Sequence, residues 1–178
     1  MKLIKNLFVI AALFTAIQVS AQTDTATTIR LVNAKNFIFN ATTASPLSNM
    51  ELNAVLSKMQ GGIGSAGVVQ LSGSQYKLTV TPDSVDAYLP YYGRSYTAPL
   101  NPNDSGIKFS SKKFSYTNTK KKKGNWVITI RPKDTRDINS LTIHVSTKGY
   151  ASVTVNSNSK QSISFNGYIS DPATVASK

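Results

Sequence analysis

Leu141-Thr-Ile-His-Val-Ser-Thr-Lys-Gly-Tyr-Ala-Ser-Val-Thr-Val155 reads as two alternating runs about a turn. Leu141, Ile143 and Val145 share one side, with Thr142, His144 and Ser146 on the other. Ala151, Val153 and Val155 repeat the arrangement against Ser152 and Thr154. In extended chain successive side chains point to opposite faces, so each run has one buried and one wetter face. A helix would scatter the same apolar residues around its circumference. Lys148-Gly149 at the midpoint has hairpin-loop composition. The stretch predicts two neighbouring antiparallel strands.

The period of two continues in both directions. Towards the C-terminus, Ile163, Phe165 and Ile169 oppose Ser162, Ser164 and Tyr168, after a polar loop Asn156 to Lys160. Towards the N-terminus, Trp126, Ile128 and Ile130 oppose Val127, Thr129 and Arg131, and Phe114 and Tyr116 oppose Ser115 and Thr117. Further back, Val85, Ala87 and Leu89 oppose Asp86 and Tyr88, while Tyr76, Leu78 and Val80 oppose Lys77, Thr79 and Thr81. Phe37, Phe39 and Ala41 alternate with Ile38 and Asn40. One-sided faces must be covered. The expectation is a mainly β chain, an antiparallel meander of about eight to nine strands closed as a barrel or a two-layer sandwich. One or two short N-terminal helices accompany it. Ser48-Asn-Met-Glu51 has capping-box spacing before Leu52, Val55, Leu56 and Met59, which predicts a helix over Asn49 to Gln60. Thr23 to Lys35 is ambiguous: Ile29, Leu31 and Val32 suit a short helix facing the core, but the threonines are weak helix formers. Pro99 to Ser105 reads as a long loop and Asp171 to Lys178 as a frayed tail.

The first 21 residues have the three parts of a leader: Lys2 and Lys5, an apolar run Leu7 to Ile17, and the small residues of Val19-Ser-Ala21. The run is too short to cross a bilayer as a helix, which takes about 20 apolar residues. The reading is a signal peptide over 1–21 and a mature chain from Gln22, a single β-rich domain over 22–178. The sequence has no cysteine, which excludes a lipid anchor on the mature N-terminus, disulfides and thiolate chemistry. Of the 20 Lys and Arg, two lie in the leader; 18 against 8 acids gives a mature charge of +10. Such a balance favours anionic partners: an anionic glycan, lipopolysaccharide or another envelope component. Export to the periplasm or beyond argues against nucleic acid. The sequence indicates no oligomeric state.

Catalytic motifs fail on context. Gly62-Ile-Gly-Ser-Ala-Gly67 spells a dinucleotide fingerprint, but it follows a helix and precedes a strand, the reverse of what pyrophosphate binding needs. Ser105-Gly-Ile-Lys108 matches an acyl-serine motif that belongs on a helix, and here it enters a strand. His144 is the only histidine, on a wet face without marked partners. Asp83 with Asp86, and Asp134 with Asp137, are three apart and so on opposite faces of extended chain. No cofactor, metal site or catalytic residue is expected.

Two segments are candidate binding elements. Asp83-Ser-Val-Asp-Ala-Tyr-Leu-Pro-Tyr-Tyr-Gly-Arg-Ser-Tyr-Thr97 concentrates aromatic, cationic and turn-forming residues. Tyr88, Tyr91, Tyr92, Arg94 and Tyr96 suit a sugar- or peptide-binding platform, or else a plug for one end of the β structure. Lys120, Lys121, Lys122 and Lys123 precede Gly124-Asn125 at a hairpin tip, either as an anion site or as a solvated tip that blocks edge pairing.

The tyrosine-rich segment, with Ser105-Gly-Ile-Lys-Phe109, Lys121 to Asp134, and Gly149 to Ile169, resembles the domain-of-unknown-function 4251 family, exported proteins of Gram-negative bacteria. The resemblance covers about 36–169, with 50–67 looking like an insertion. It implies a class and an exported location, and no mechanism. Together the readings point to a non-catalytic binding or structural module. The alternatives are a barrel-type carrier of a small apolar ligand and a hydrolase with an unrecognised site.

Overall fold

A computed structural model of the chain describes residues 23–46, 68–71, 75–97, 106–122 and 124–175. The leader, the expected helix Asn49 to Gln60, the insertion 50–67, the glycine-rich motif, the loop Pro99 to Ser105 and Lys123 lie outside the described residues.

Ten strands form one antiparallel sheet: β1 (Phe37–Pro46), β2 (Val69–Gln70), β3 (Lys77–Val80), β4 (Val85–Leu89), β5 (Ile107–Ser111), β6 (Phe114–Lys120), β7 (Trp126–Pro132), β8 (Ile138–Val145), β9 (Tyr150–Ser157) and β10 (Ile163–Ser170). The order is β5-β4-β3-β1-β10-β9-β8-β7-β6, with β2 pairing beside it on β1. Two meanders, β3 to β5 and β6 to β10, are thus joined through β1. The nine-strand path curls into a nearly closed barrel, which decides between the two closures the alternation allowed. The residues assigned to the inner side in β7 to β10 are all buried. Phe37, Phe39, Phe165, Leu78, Leu141 and Ile143 are among the largest fully buried side chains and fill the interior.

Both tight hairpins of the long meander are built alike. Ser146 donates its N–H to the Tyr150 carbonyl and Gly149 to that of Ser146; Lys121 donates to Asn125 and Gly124 to Lys121. Both glycines have φ of +79°, the left-handed position that completes such a turn. The turns touch, because a Cβ on Gly124 would lie 3.0 Å from the Thr147 methyl.

β5 and β6 are the two ends of the path and are consecutive in sequence. Antiparallel pairing through nine strands makes them run in the same direction. The chain therefore pairs with β4 over Ile107–Ser111, crosses at Lys112 and Lys113, and pairs with β7 from Phe114. Asp134 pins the crossing, accepting the N–H of Lys112 at 2.9 Å, the N–H of Lys113 at 3.0 Å and the Ser111 hydroxyl.

Several expectations are corrected. Thr23 to Lys35 is helical over α1 (Thr25–Ala34), capped by the Asp24 carboxylate on the Thr27 N–H at 2.9 Å and ended by Lys35 at φ 53°. Its buried face is Thr28, Leu31 and Val32; Ile29 is exposed, because it falls outside the arc those three define. Ile38 is buried although it lies on the opposite side of β1 from Phe37 and Phe39. The tail is not wholly frayed: Pro172–Val175 form a short helix, α2, and Asp171 before it pairs with Arg30 of α1. β9 runs on to Ser157, so the loop before β10 starts later than its composition suggested. Asp134 and Asp137, which the spacing marked only as an unpaired couple of acids, each hold distant segments.

Candidate functional site

The five residues of the tyrosine segment divide. Tyr88 is on the outer face of β4, about half exposed, while Leu89 beside it is buried. Its ring stacks on Tyr76 at 5.8 Å, and the Lys108 ammonium lies 5.2 Å from its centroid. Tyr91 turns inward. Its hydroxyl lies 2.7 Å from the Arg94 carbonyl and 3.0 Å from that of Gln161. Burial pushes its pKa up to about 12. Tyr92 also packs on the core, and burial, with Tyr76 nearby, raises its pKa. Arg94 and Tyr96 are exposed. The Tyr96 N–H donates to the Ser159 carbonyl, and Ser95 bridges to Lys160. The segment is therefore part support and part surface, tied to the β9–β10 connection, and the five side chains do not form one platform.

Cross-strand register gives Tyr88 other neighbours. Lys108, Tyr88, Lys77, Asn40, Tyr168 and Tyr150 are successive partners from β5 through β4, β3, β1 and β10 to β9. All point outward, so a single row of rings, ammonium groups and an amide crosses the barrel wall. Two residues along β9 and β10, His144, Ser152 and Asn166 form a second, polar row.

Between these rows, at the end with the touching turns, is a groove of about 490 Å³. Tyr150, Trp126, His144, Asn125, Asn166 and Lys121 contribute to its walls, with Ala151 and Gly167 among its small residues. No carboxylate is among its described lining residues. Gly167 is required by packing. A Cβ there would fall 1.9 Å from the Asn40 carbonyl, next to the bulge between Ala41 and Thr43 of β1. The lysine tip borders the groove through Lys121, while Lys120 points its ammonium over the Trp126 ring at 6.0 Å. Lys122 is exposed, and Lys123 lies outside the described residues.

A second pocket, about 320 Å³, lies at the other end of β8 and β9, beside the crossing of β5 into β6. Its central group is Lys160, whose ammonium lies 3.1 Å from the Gly106 carbonyl and 3.4 Å from the Asp137 carboxylate. The Tyr91 ring is 5.8 Å from the same ammonium. Burial pushes the Asp137 pKa up, but hydrogen bonds from Ser159 and Ser157 and the Lys160 charge outweigh it, leaving the carboxyl below its ordinary value.

Sequence reasoning did not anticipate Tyr150, Asn166 or Lys160 as site residues. Only the hairpin register brings them together, and no local motif marks them.

The family's sequence profile, described as a domain of unknown function (DUF4251), matches residues 20–169. The chain belongs to the DUF4251 family. The crystal structure of a DUF4251 family protein from Bacteroides eggerthii DSM 20697 is similar to it, with a TM-score of 0.55 over 84% of this chain and 89% of that one. At 12% identity that likeness concerns the fold. No curated protein matches the sequence. The matched region begins earlier than the four sequence segments indicated and takes in α1, which is consistent with a helix that belongs to the domain.

Proposed function

We propose that this DUF4251 protein is an exported, non-catalytic binding module whose ligand is an acidic glycan of the cell envelope. The observation that carries the reading is the groove beside the hairpin tips. Exposed Tyr150 offers a ring for stacking on a sugar face. Asn125, Asn166 and Ser152 offer amide and hydroxyl groups for hydrogen bonds to sugar hydroxyls. Lys121 supplies positive charge, and among the described residues no lining carboxylate opposes an anion. The chain's net charge of +12, +10 after loss of the leader, draws anions to the whole surface. Export rests on the leader-like segment in 1–21.

The carrier reading has less support, because large apolar side chains fill the barrel interior. The hydrolase reading has less support as well. His144 has Ser146 and Ser152 in its groove, but no carboxylate among the lining residues to orient it.

Trp126 is the single tryptophan and lines the groove, so its fluorescence reports occupancy. Titration with polygalacturonate should give a saturable change, with dextran, a neutral glucan, giving none. Tyr150→Ala and Lys121→Gln should each weaken the response. Equal responses to both polymers, or a response that neither variant alters, would reject the reading.

A further inference from the structure

We infer that the pocket at the barrel crossing is a second, independent binding site, for a small monocarboxylate with an apolar body. The site stands at the opposite end of β8 and β9 from the groove, and its residues take no part in the glycan reading.

Its base is an ammonium that is nearly out of water: the Lys160 side chain is 11% exposed. An ammonium has three donors. Gly106 and Asp137 accept from it, and the Tyr91 ring faces it as a π surface. One donor is thus left without an acceptor among the described residues, on a side chain that lines the pocket. A donor largely out of water is stabilised by any acceptor it can reach, so an acceptor brought by a ligand is favoured there.

The rim strengthens the case. Arg136 and Lys108 line the same pocket and are both exposed. With Lys160 they give three cations, and Asp137 is the one carboxylate among the described lining residues. The Arg136 guanidinium has no side-chain partner among the described residues, and its planar fork matches a carboxylate. Asp137 is already engaged by Ser157, Ser159 and Lys160, which reduces its repulsion of an incoming anion.

Phe109 and Ile138 supply the apolar wall. Phe109 packs on the core with part of its ring uncovered, and Ile138 is buried. A fully solvated inorganic anion would gain nothing from that wall. An aryl or branched aliphatic acid would bury its body there while its carboxylate meets Arg136 and Lys160. The volume, about 320 Å³, suits a ligand at the small end of the usual range.

The test is calorimetric titration of the intact mature protein with benzoate, benzamide and inorganic phosphate. Benzoate should bind one per chain, and benzamide and phosphate at least about tenfold more weakly, since one lacks the charge and the other the apolar body. Arg136→Gln, at an exposed position, should keep the parent's circular dichroism and weaken benzoate about tenfold or more. Phe109→Ser provides a second arm and should weaken benzoate without creating phosphate binding. Lys121→Gln, at the groove, should leave benzoate affinity unchanged. The inference is overturned if benzoate does not bind, if benzamide or phosphate binds as well as benzoate, if Arg136→Gln has no effect, or if Lys121→Gln removes the binding.

Discussion

The backbone N–H of Lys113 donates to the carboxylate of Asp134 over 3.0 Å. These residues come from β5's end and β7's end, at the point where the chain leaves one edge of the sheet for the other. The same carboxylate holds Lys112 and Ser111. It is the local device by which a nine-strand path becomes a nearly closed barrel.

Acid should loosen this crossing. The hydrogen bond from Ser111 chiefly, with those from the Lys112 and Lys113 amides, holds the Asp134 pKa below its ordinary 3.8, despite an opposing desolvation effect. A carboxyl with a depressed folded pKa contributes stability that is present above the unfolded value and is lost as pH falls through the folded one. Denaturant melts of the parent should therefore weaken as pH drops below about 4, and Asp134→Asn should flatten that dependence while lowering stability at neutral pH. A variant with the parent's full acid dependence would show that the clamp contributes nothing.

Within the tyrosine segment, neighbours should respond differently to truncation. Leu89 is 1% exposed and Tyr88 49%. Leu89→Ala should cost about 2–5 kcal/mol, as for a buried leucine, and Tyr88→Ala under about 1.5 kcal/mol. Tyr91→Phe should cost about 1 kcal/mol, for a hydroxyl shared between the Arg94 and Gln161 carbonyls. Urea melts of the three variants give the ranking.

Gly167→Ala should be among the most damaging of single-methyl additions. The new carbon would sit 1.9 Å from a backbone oxygen that belongs to the partner strand, so no side chain can move to admit it. We expect a loss of about 3 kcal/mol or more, at the upper end for overpacking. A near-parental thermal melt would mean that β1 and β10 are not held at this separation.

Neutralising the lysine tip should separate general charge from a site. Replacing Lys120, Lys121, Lys122 and Lys123 with Gln removes four of the chain's 20 Lys and Arg. Retention on an anionic matrix should become less sensitive to salt. Elution at the parent's salt concentration would make the tip only a solvated turn.

The sheet was largely legible because in β7 to β10 burial is decided by a period of two that tertiary context does not override. Leu141, Ile143 and Val145 lie inward as their spacing requires. α1 was ambiguous because its threonines argue locally against helix, whereas the Asp24 cap and the burial of Thr28, Leu31 and Val32 decide for it. Val69–Gln70 is too short a strand to show a period. The crossing from β5 to β6 has no local sign, since it depends on Asp134, some twenty residues away. The sites were least legible. Tyr88 and Lys121 were visible as exposed aromatic and cationic residues. Tyr150, Asn166 and Lys160 gain meaning only from the register of β9 and β10 with their neighbours and from the segments packed on the β9–β10 connection.

The most direct test of glycan binding at the groove is an amide chemical-shift map of the mature protein titrated with oligogalacturonate. Binding as proposed is expected to perturb residues around Lys121 to Trp126, His144 to Ser152 and Asn166 to Tyr168, saturably, and to spare Gly106 to Phe109 and Arg136 to Ile138. Shifts confined to the latter pocket, shifts spread evenly over all surface lysines, or no shifts at all would contradict it.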